Sequence, residues 1–339
     1  MRVPAPLFNA AAEIIGQPRA RAWADALDYM LFELMDRWKV TLDPVPGAPW
    51  AGAESLVIPV LTEEGYQAII RFAAPNTDNP RVHDQVLTAL RRWNGHGAVR
   101  VIAQHADFRA TLQERLRTGV NLSSEPFDKV APIWGQLALA LKVPGAPGFV
   151  RVQDIAAGWL RKLPADAELL RGFAAADPAD EQLLDTGRAW TEHLAQSPES
   201  WLLHADLHYY NILAGNPDRA GISTWKAIDP QPLTGPTAYM VAPILWNRLF
   251  ELPGGDPEGQ ANWLRGFAAS LCQHAHIEPG AGMGATVARE LQNMFWYLRS
   301  AQGGNERALG DAARSLWVAR ALAGASVRGV DAHSLKRLG

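Results

Sequence analysis

Cysteine is almost missing from this sequence: Cys272 is the single one in 339 residues. No intramolecular disulfide can form, and neither a cysteine zinc site nor an iron–sulfur cluster can be assembled. A reducing cytoplasm is the expected home. Long apolar runs are missing too. The longest, Tyr239 to Trp246, is eight residues and contains Pro243, against the roughly 20 that cross a bilayer. The opening MRVPAPLFNAAAEIIGQPRA carries prolines and charges where a signal peptide has an apolar centre, so none is expected. An excess of charge is also lacking: Lys+Arg total 32, Asp+Glu 35, and the net charge is −3. Nucleic-acid binding depends on clustered cations, so neither a nucleic acid nor a membrane is an expected partner. With 48% hydrophobic and 20% charged residues, the chain has the balance of a folded globular protein. Its length suggests two domains or lobes, and nothing in it sets an oligomeric state.

Periodicity supplies the organisation. From Ala20 to Lys39, Trp23, Leu27, Met30, Leu31, Leu34, Met35 and Trp38 follow one helix face, and Pro44, Pro46 and Gly47 end it. Ser55–Leu61 and Tyr66–Phe72 read as a hairpin about Glu63-Glu64-Gly65. A helix is expected from about Val82 to Trp93, stopped by Asn94-Gly95-His96-Gly97, then strands near Val99–Ala103 and Ala110–Glu114. Residues 1–115 thus read as a small N-terminal lobe, and 116–339 as a helical C-terminal lobe. Its helices should break at Pro144 to Gly148 and at Pro164. One island of strands interrupts them: Trp201–His204, Ile212–Ala214 and Thr224–Ile228, with Gly215-Asn216-Pro217 as a turn. Helices resume with Ala261–Cys272 and Val287–Leu298.

The island carries the chemistry. It reads Leu203-His204-Ala205-Asp206-Leu207-His208-Tyr209-Tyr210-Asn211-Ile212-Leu213, and a later strand ends in Ile228-Asp229-Pro230. Phosphoryl transfer asks little covalent work of a protein. It needs a carboxylate to orient and deprotonate the attacking hydroxyl, and oxygen ligands to hold Mg²⁺ on the phosphates. An Asp with an Asn five residues on, and a second Asp at a neighbouring strand end, meets that need. Asp206 fits the base, Asn211 and Asp229 the metal ligands, with His204 and His208 holding the loop. A rival reading takes His204, Asp206 and His208 as alternating on one strand face, with His274 and His276 added, in a metallohydrolase site. An unbroken strand would leave Asn211 and Asp229 without a role.

The segment HADLHYYNIL, followed by AIDP, resembles the catalytic loop and metal-binding strand of the aminoglycoside phosphotransferases, relatives of the protein kinases. Within them the chain is most similar to the streptomycin 6-phosphotransferase and aminoglycoside/hydroxyurea resistance kinases. RAWADALDYMLFELMDRWKVTLDP, RRWNGHGAVRVIA and TLQERLRTG agree in order, over about residues 20 to 300. The resemblance implies an α+β, bilobal protein-kinase-like fold, a small β-rich N-lobe and a larger helical C-lobe, with ATP between them. It implies Asp206 as catalytic base and Asn211 and Asp229 as Mg²⁺ ligands. The backbone of Gln113, Glu114, Arg115 and Leu116 would meet the adenine, and Ala51-Gly52-Ala53-Glu54-Ser55 would cover the phosphates.

Departures accompany it. The family's phosphate-gripping Lys is Arg71 here, a wider and planar cation. The helix that should offer that Lys a Glu reads RVHDQVLTALRRW, with Asp84 its one carboxylate. The catalytic-loop glycine is Ala205. The family's G-D-P-x-x-D is Gly235-Pro236-Thr237-Ala238-Tyr239-Met240, without either carboxylate. The expected activity is transfer of the γ-phosphoryl of Mg·ATP to a small hydroxylated acceptor, an aminoglycoside, another sugar alcohol or a hydroxyurea-like amide. The alternative is a kinase-fold binding protein with weakened catalysis. Glu114, Asp185, Glu192, Glu251, Asp256, Glu258 and Glu290 are candidate acids for a cationic acceptor, and Trp225, Trp246, Trp263 and Trp296 candidate stacking surfaces.

Overall fold

The structure is a computed structural model that describes residues 3–52, 54–77, 81–216 and 224–337. Ala53 of the expected phosphate loop and Pro217 of the expected turn lie outside the described residues. The chain divides into two compact units. One comprises residues 1–119 and 214–226, the other 120–213 and 227–339.

The first unit opens with helices α1 (Ala5–Ile15) and α2 (Gln17–Trp38). The short strands β1 (Val40–Leu42) and β2 (Trp50–Ala51) precede the long hairpin β3 (Ser55–Thr62) and β4 (Gln67–Ala73). Helix α3 (Val82–Trp93) and strands β5 (Val101–His105) and β6 (Ala110–Glu114) complete it. The strands form an antiparallel sheet in the order β1-β3-β4-β6-β5, with β2 on β3. Period-2 alternation in β3 and β4 sends Leu56, Ile58, Val60, Ile70 and Phe72 to one face. There they meet Leu27, Leu31 and Leu34 of α2, and that layer is the core of the unit. Cross-strand partners share a face, so Val57, Arg71 and Thr111 stand together on the opposite one. Helix α3 stops where the sequence says it should, at Asn94 in the left-handed region with φ 45°. Strand β5 lies later than Val99–Ala103, and a bulge between Val101 and Ala103 shifts its register on β6.

The second unit follows with α4 (Phe127–Ala140), strands β7 (Val143–Pro144) and β8 (Val150–Arg151), and α5 (Val152–Arg171). Next come α6 (Asp180–Gln196), β9 (Trp201–Leu203) and, after the pair β10 (Ile212–Ala214) and β11 (Trp225–Ala227) that spans the boundary with the first unit, β12 (Leu233–Gly235). Helices α7 (Ala242–Leu245), α8 (Pro257–His274), α9 (Pro279–Gln302) and α10 (Ala308–Ala323) end the chain. Helix α9 packs on α10, α6 and α8. Its approach to α6 requires Gly284: a Cβ there would sit 2.0 Å from the Trp190 ring. Strands β7, β9, β12 and β8 form a second small sheet.

One expected break is absent. Helix α5 runs through Pro164. Proline removes one ladder hydrogen bond, but Pro164 is on the exposed side, where water can take the orphaned carbonyl. No helix among the described residues is long and apolar enough to cross a membrane.

Candidate active site

The polar loop begins where β9 stops. Strand geometry ends at Leu203 because Ala205 lies at φ 47°, in the left-handed region that non-glycine residues seldom occupy. The Asp206 N–H turns back to the His204 carbonyl, 2.6 Å away, closing a tight turn about Ala205. His204, Asp206 and His208 therefore do not alternate along one strand, and the metallohydrolase geometry is lost. Among the described residues no three His, Cys, Asp or Glu gather into a metal cage.

The same turn joins Asp206 to Asn211. The Asn211 amide donates through Nδ2 to both the Asp206 carbonyl and its Oδ2, each at 3.0 Å. Spending the nitrogen on Asp206 leaves the amide oxygen as the atom for another partner. His208 fixes the carboxylate from its other side. Its Nδ1 accepts the Tyr210 N–H at 3.2 Å, so the ring proton belongs on Nε2, 3.5 Å from Asp206 Oδ2. Burial would push the Asp206 carboxyl up. The hydrogen bond from His208, aided by the charge of Arg289, outweighs it and holds the carboxyl below its ordinary value.

His204 ties the loop to the next strand. Fully buried, its Nε2 donates to the Ile228 carbonyl at 2.9 Å, and the Gln231 N–H returns to the His204 carbonyl at 3.0 Å. Burial pushes its imidazole down to about 4, keeping it neutral. Ile228 also donates its N–H to the Asn211 carbonyl at 2.9 Å. Asp229, next along, is exposed, with its backbone in the left-handed region at φ 47°. An amide oxygen and one carboxylate are hard oxygen donors. They suit Mg²⁺, which takes one or two protein ligands and completes its shell with phosphates and water.

Two residues of distant elements hold this loop. Arg289 of α9 donates to the Ala205 carbonyl at 2.8 Å and the Tyr239 carbonyl at 3.2 Å, its guanidinium 4.5 Å from the centre of the Tyr239 ring. Trp134 of α4, fully buried, donates to the Leu207 carbonyl at 3.0 Å. No motif pointed to either. The sequence signal lay beside Arg289: Glu290 occupies the apolar face shared by Val287, Leu291 and Met294, and a carboxylate there marks a special position.

Asp206, His208, Gln231, Arg289, Glu290 and Trp296 line a cavity of about 710 Å³, with Tyr210, Trp246, Asn247, Asn293 and Tyr297. Trp296 and Tyr210 are exposed at 63% and 47%, open surfaces for a ligand ring. Glu290 is fully buried, which pushes its carboxyl up to about 7; hydrogen bonds with Ser315 and Asn293 and the charges of Arg314 and Arg289 pull the other way. Five of the other candidate acids have local duties. Glu251 pairs with Arg248 at 2.7 Å, Asp185 with Arg188 at 3.1 Å and Glu114 with Lys226 at 2.5 Å. Asp256 caps α8, and Glu258 accepts from Ser326 at 2.8 Å. Trp263 is stacked with Phe267.

The first unit holds the other expected residues. Arg71 stands half-buried on β4, on the sheet face away from the core, and Ser55, 5% exposed, starts β3. Around residues 113–116, the Gln113 amide donates to Thr111 at 2.9 Å and Arg115 pairs with Asp43 at 2.7 Å. The Arg115 N–H goes to the Gln67 carbonyl and its own carbonyl accepts from Asn216. Among the described residues the Leu116 N–H and C=O make no hydrogen bond.

Comparison with known proteins gives the class and then the family. The fold is that of the kinase-like phosphotransferases. An amicoumacin kinase solved with AMP-PNP and Ca²⁺ matches with a TM-score of 0.51 at 14% identity, covering 94% of this chain and 99% of that one. The sequence pattern of the aminoglycoside/hydroxyurea antibiotic resistance kinases matches residues 37–272. A streptomycin 6-kinase of Streptomyces glaucescens is 32% identical over 298 residues, 87% of this chain and 91% of its own. A hydroxyurea phosphotransferase of Kitasatospora aureofaciens is 28% identical over 300 residues, 87% and 80% of the two chains. The chain belongs to the aminoglycoside/hydroxyurea antibiotic resistance kinase family. It is a phosphotransferase with a hydroxyl acceptor, and nothing favours the weakened binding protein.

Proposed function

We propose that this enzyme transfers the γ-phosphoryl group of Mg·ATP to a hydroxyl of an aminoglycoside-sized acceptor, with Asp206 as the catalytic base. The observation that carries the reading is the Asn211 amide, bonded to the Asp206 carbonyl and carboxylate together. Those bonds and His208 leave the carboxylate ionised and aimed by two neighbours, ready to orient a hydroxyl and accept its proton. The Asn211 amide oxygen and the Asp229 carboxylate would hold Mg²⁺, which neutralises charge on the phosphates when bound. Arg71 and the Ser55 end of β3 would serve the phosphates. In the 113–116 segment, the Leu116 backbone has its hydrogen-bonding groups to offer an adenine, where those of Arg115 are spent.

The names of the relatives offer two acceptors, streptomycin and hydroxyurea. A cavity of about 710 Å³ walled by Trp296, Trp246 and Tyr210 is of drug-ligand size. Hydroxyurea, with five heavy atoms, would leave most of it to water, so streptomycin is the better fit. A coupled ADP-release assay with each acceptor tests this. The expected result is turnover with streptomycin, lowered by roughly 10²–10⁴-fold in Asp206→Asn. Undiminished turnover in that variant would remove Asp206 from the role.

A further inference from the structure

The wall of the large cavity in the second unit contains polar atoms that the chain itself leaves unsatisfied. Glu290 of α9 is fully buried there, and its Oε1 accepts from Asn293 Nδ2 at 2.8 Å. Ser315 stands beside the carboxyl, but Oε2 is buried without a donor in full bonding geometry. Asn247, 7% exposed, lines the same cavity, and its Oδ1 is also buried without a partner. Two buried oxygens without donors, in the wall of one cavity, call for a donor from outside the chain.

The neighbouring charges give the sign of that donor. Arg289 spends its guanidinium on the Ala205 and Tyr239 carbonyls, and its charge acts on Asp206. Arg314 of α10 pairs with Asp311 at 2.7 Å, an acid it shares with Lys336, and donates to the Lys336 carbonyl at 3.1 Å. Both charges reach Glu290, but among the described residues neither guanidinium is paired with it. Burial is the larger effect and raises the carboxyl to about 7, so an ionised Glu290 lacks a counter-ion of its own. The aromatic lining agrees. Trp246 and Tyr297 already face Arg289 and Arg314, at 5.4 and 5.9 Å from their ring centres, whereas Trp296 and Tyr210 are open. An open aromatic face attracts a cation. Asp206 is the other acid of the lining, and it is already engaged by Asn211 and His208.

We infer that Glu290, with Asn247 beside it in the cavity wall, anchors a protonated nitrogen group of the acceptor, an ammonium or a guanidinium, and so selects cationic acceptors over neutral ones. This rests on the reading of the cavity as the acceptor site and assigns a substrate class to it. The cation binds to the ionised carboxyl. Below pH 7 the Glu290 O–H must therefore break as the cation enters, and its proton goes to the solvent. Arg289, Arg314, Tyr210, Tyr297, Asp206 and His208 are the other ionisable groups of the lining, and they are common to wild type and a Glu290 variant.

The test titrates streptomycin, which carries guanidinium groups, and kanamycin, whose cations are ammoniums, into the full chain by calorimetry. Titrations at pH 6 in two buffers of different ionisation heat count the protons released by wild type, Glu290→Gln and Asn247→Leu. Unliganded melting curves and ATP titrations verify that each variant is folded, with its nucleotide site intact. Streptomycin should bind wild type with release of close to one proton. In Glu290→Gln it should lose at least about tenfold in affinity, the worth of one charge-assisted hydrogen bond, and the release should vanish. Asn247→Leu should weaken binding and keep the release. Whichever antibiotic loses affinity in Glu290→Gln identifies the nitrogen group. Equal affinity of both antibiotics in wild type and Glu290→Gln, or a loss there with proton release unchanged, would overturn the anchor; continued turnover of streptomycin would then leave the acceptor reading standing. Neither binding nor turnover of either antibiotic by wild type would overturn both.

Discussion

Glu290 is an acid where the periodicity of α9 calls for a hydrocarbon. The fold keeps its carboxyl up near 7 against an ordinary value of 4.5, so the protonated form is the one the structure favours. Its contribution to stability is complete below pH 4.5 and is lost as the pH rises through 7. His204 and His83 act in the opposite sense. Each is pushed down to about 4 from 6.5, so their contribution is complete above 6.5 and is lost as the pH falls through 4. The difference between wild type and Glu290→Gln isolates the acid, because the histidines cancel. That variant should gain on wild type by about 3 kcal/mol between pH 4.5 and 7, one pKa unit being worth about 1.4 kcal/mol. Urea unfolding midpoints across that range measure it. A difference that does not change with pH would mean that Glu290 is ionised in the folded protein.

Helix α9 does more than bury its apolar face. Through Arg289 it grips the carbonyl of Ala205, the residue whose left-handed backbone starts the Asp206 loop. The segment ending in Met240 has no carboxylate to hold that loop, and the guanidinium supplies an anchor from α9. Arg289 is a positioning residue on this view. Replacing it with Met should lower kcat by about tenfold, the worth of one charged hydrogen bond of about 1.5 kcal/mol, with the KM for ATP unchanged. Arg289→Lys should restore part of the loss. A fall in melting temperature with kcat intact would limit Arg289 to a packing role. This brace explains why the sequence was legible in one place and silent in another. Asp206 and Asn211 are five residues apart, and their joining depends on one local turn, so spacing sufficed. The ends of α3 were legible for the same local reason, since Asn94 and Gly95 both take positive φ. Arg289 is 84 residues from its partner Ala205, and only the packing of α9 brings them together. Pro164 misled because a local breaker is tolerated where solvent relieves it, and α1 passed unread because its burial depends on contacts with α2.

At the scale of the molecule, the chain divides its chemistry between two units. The first holds Arg71 and the 113–116 segment; the second holds Asp206, Asn211, Asp229 and the large cavity. Composition offered no cluster of cations for a nucleic acid and a single cysteine, and the change from strands to helices pointed to two lobes. The assignment of residues 214–226 to the first unit was not visible, because it depends on long-range contacts. Lys226 pairs with Glu114, Asn216 reaches Gln67 and Arg115, and the Arg117 N–H meets the Ala214 carbonyl. The central claim is that the enzyme binds ATP through magnesium at Asn211 and Asp229. Calorimetric titration of ATP with and without Mg²⁺, for wild type and Asp229→Ala, tests it without reference to any acceptor. The account predicts tight binding that requires Mg²⁺ in wild type and weakens by at least about tenfold in Asp229→Ala, as expected when a metal-ligating carboxylate is removed. ATP binding that is indifferent to both magnesium and Asp229 would contradict it.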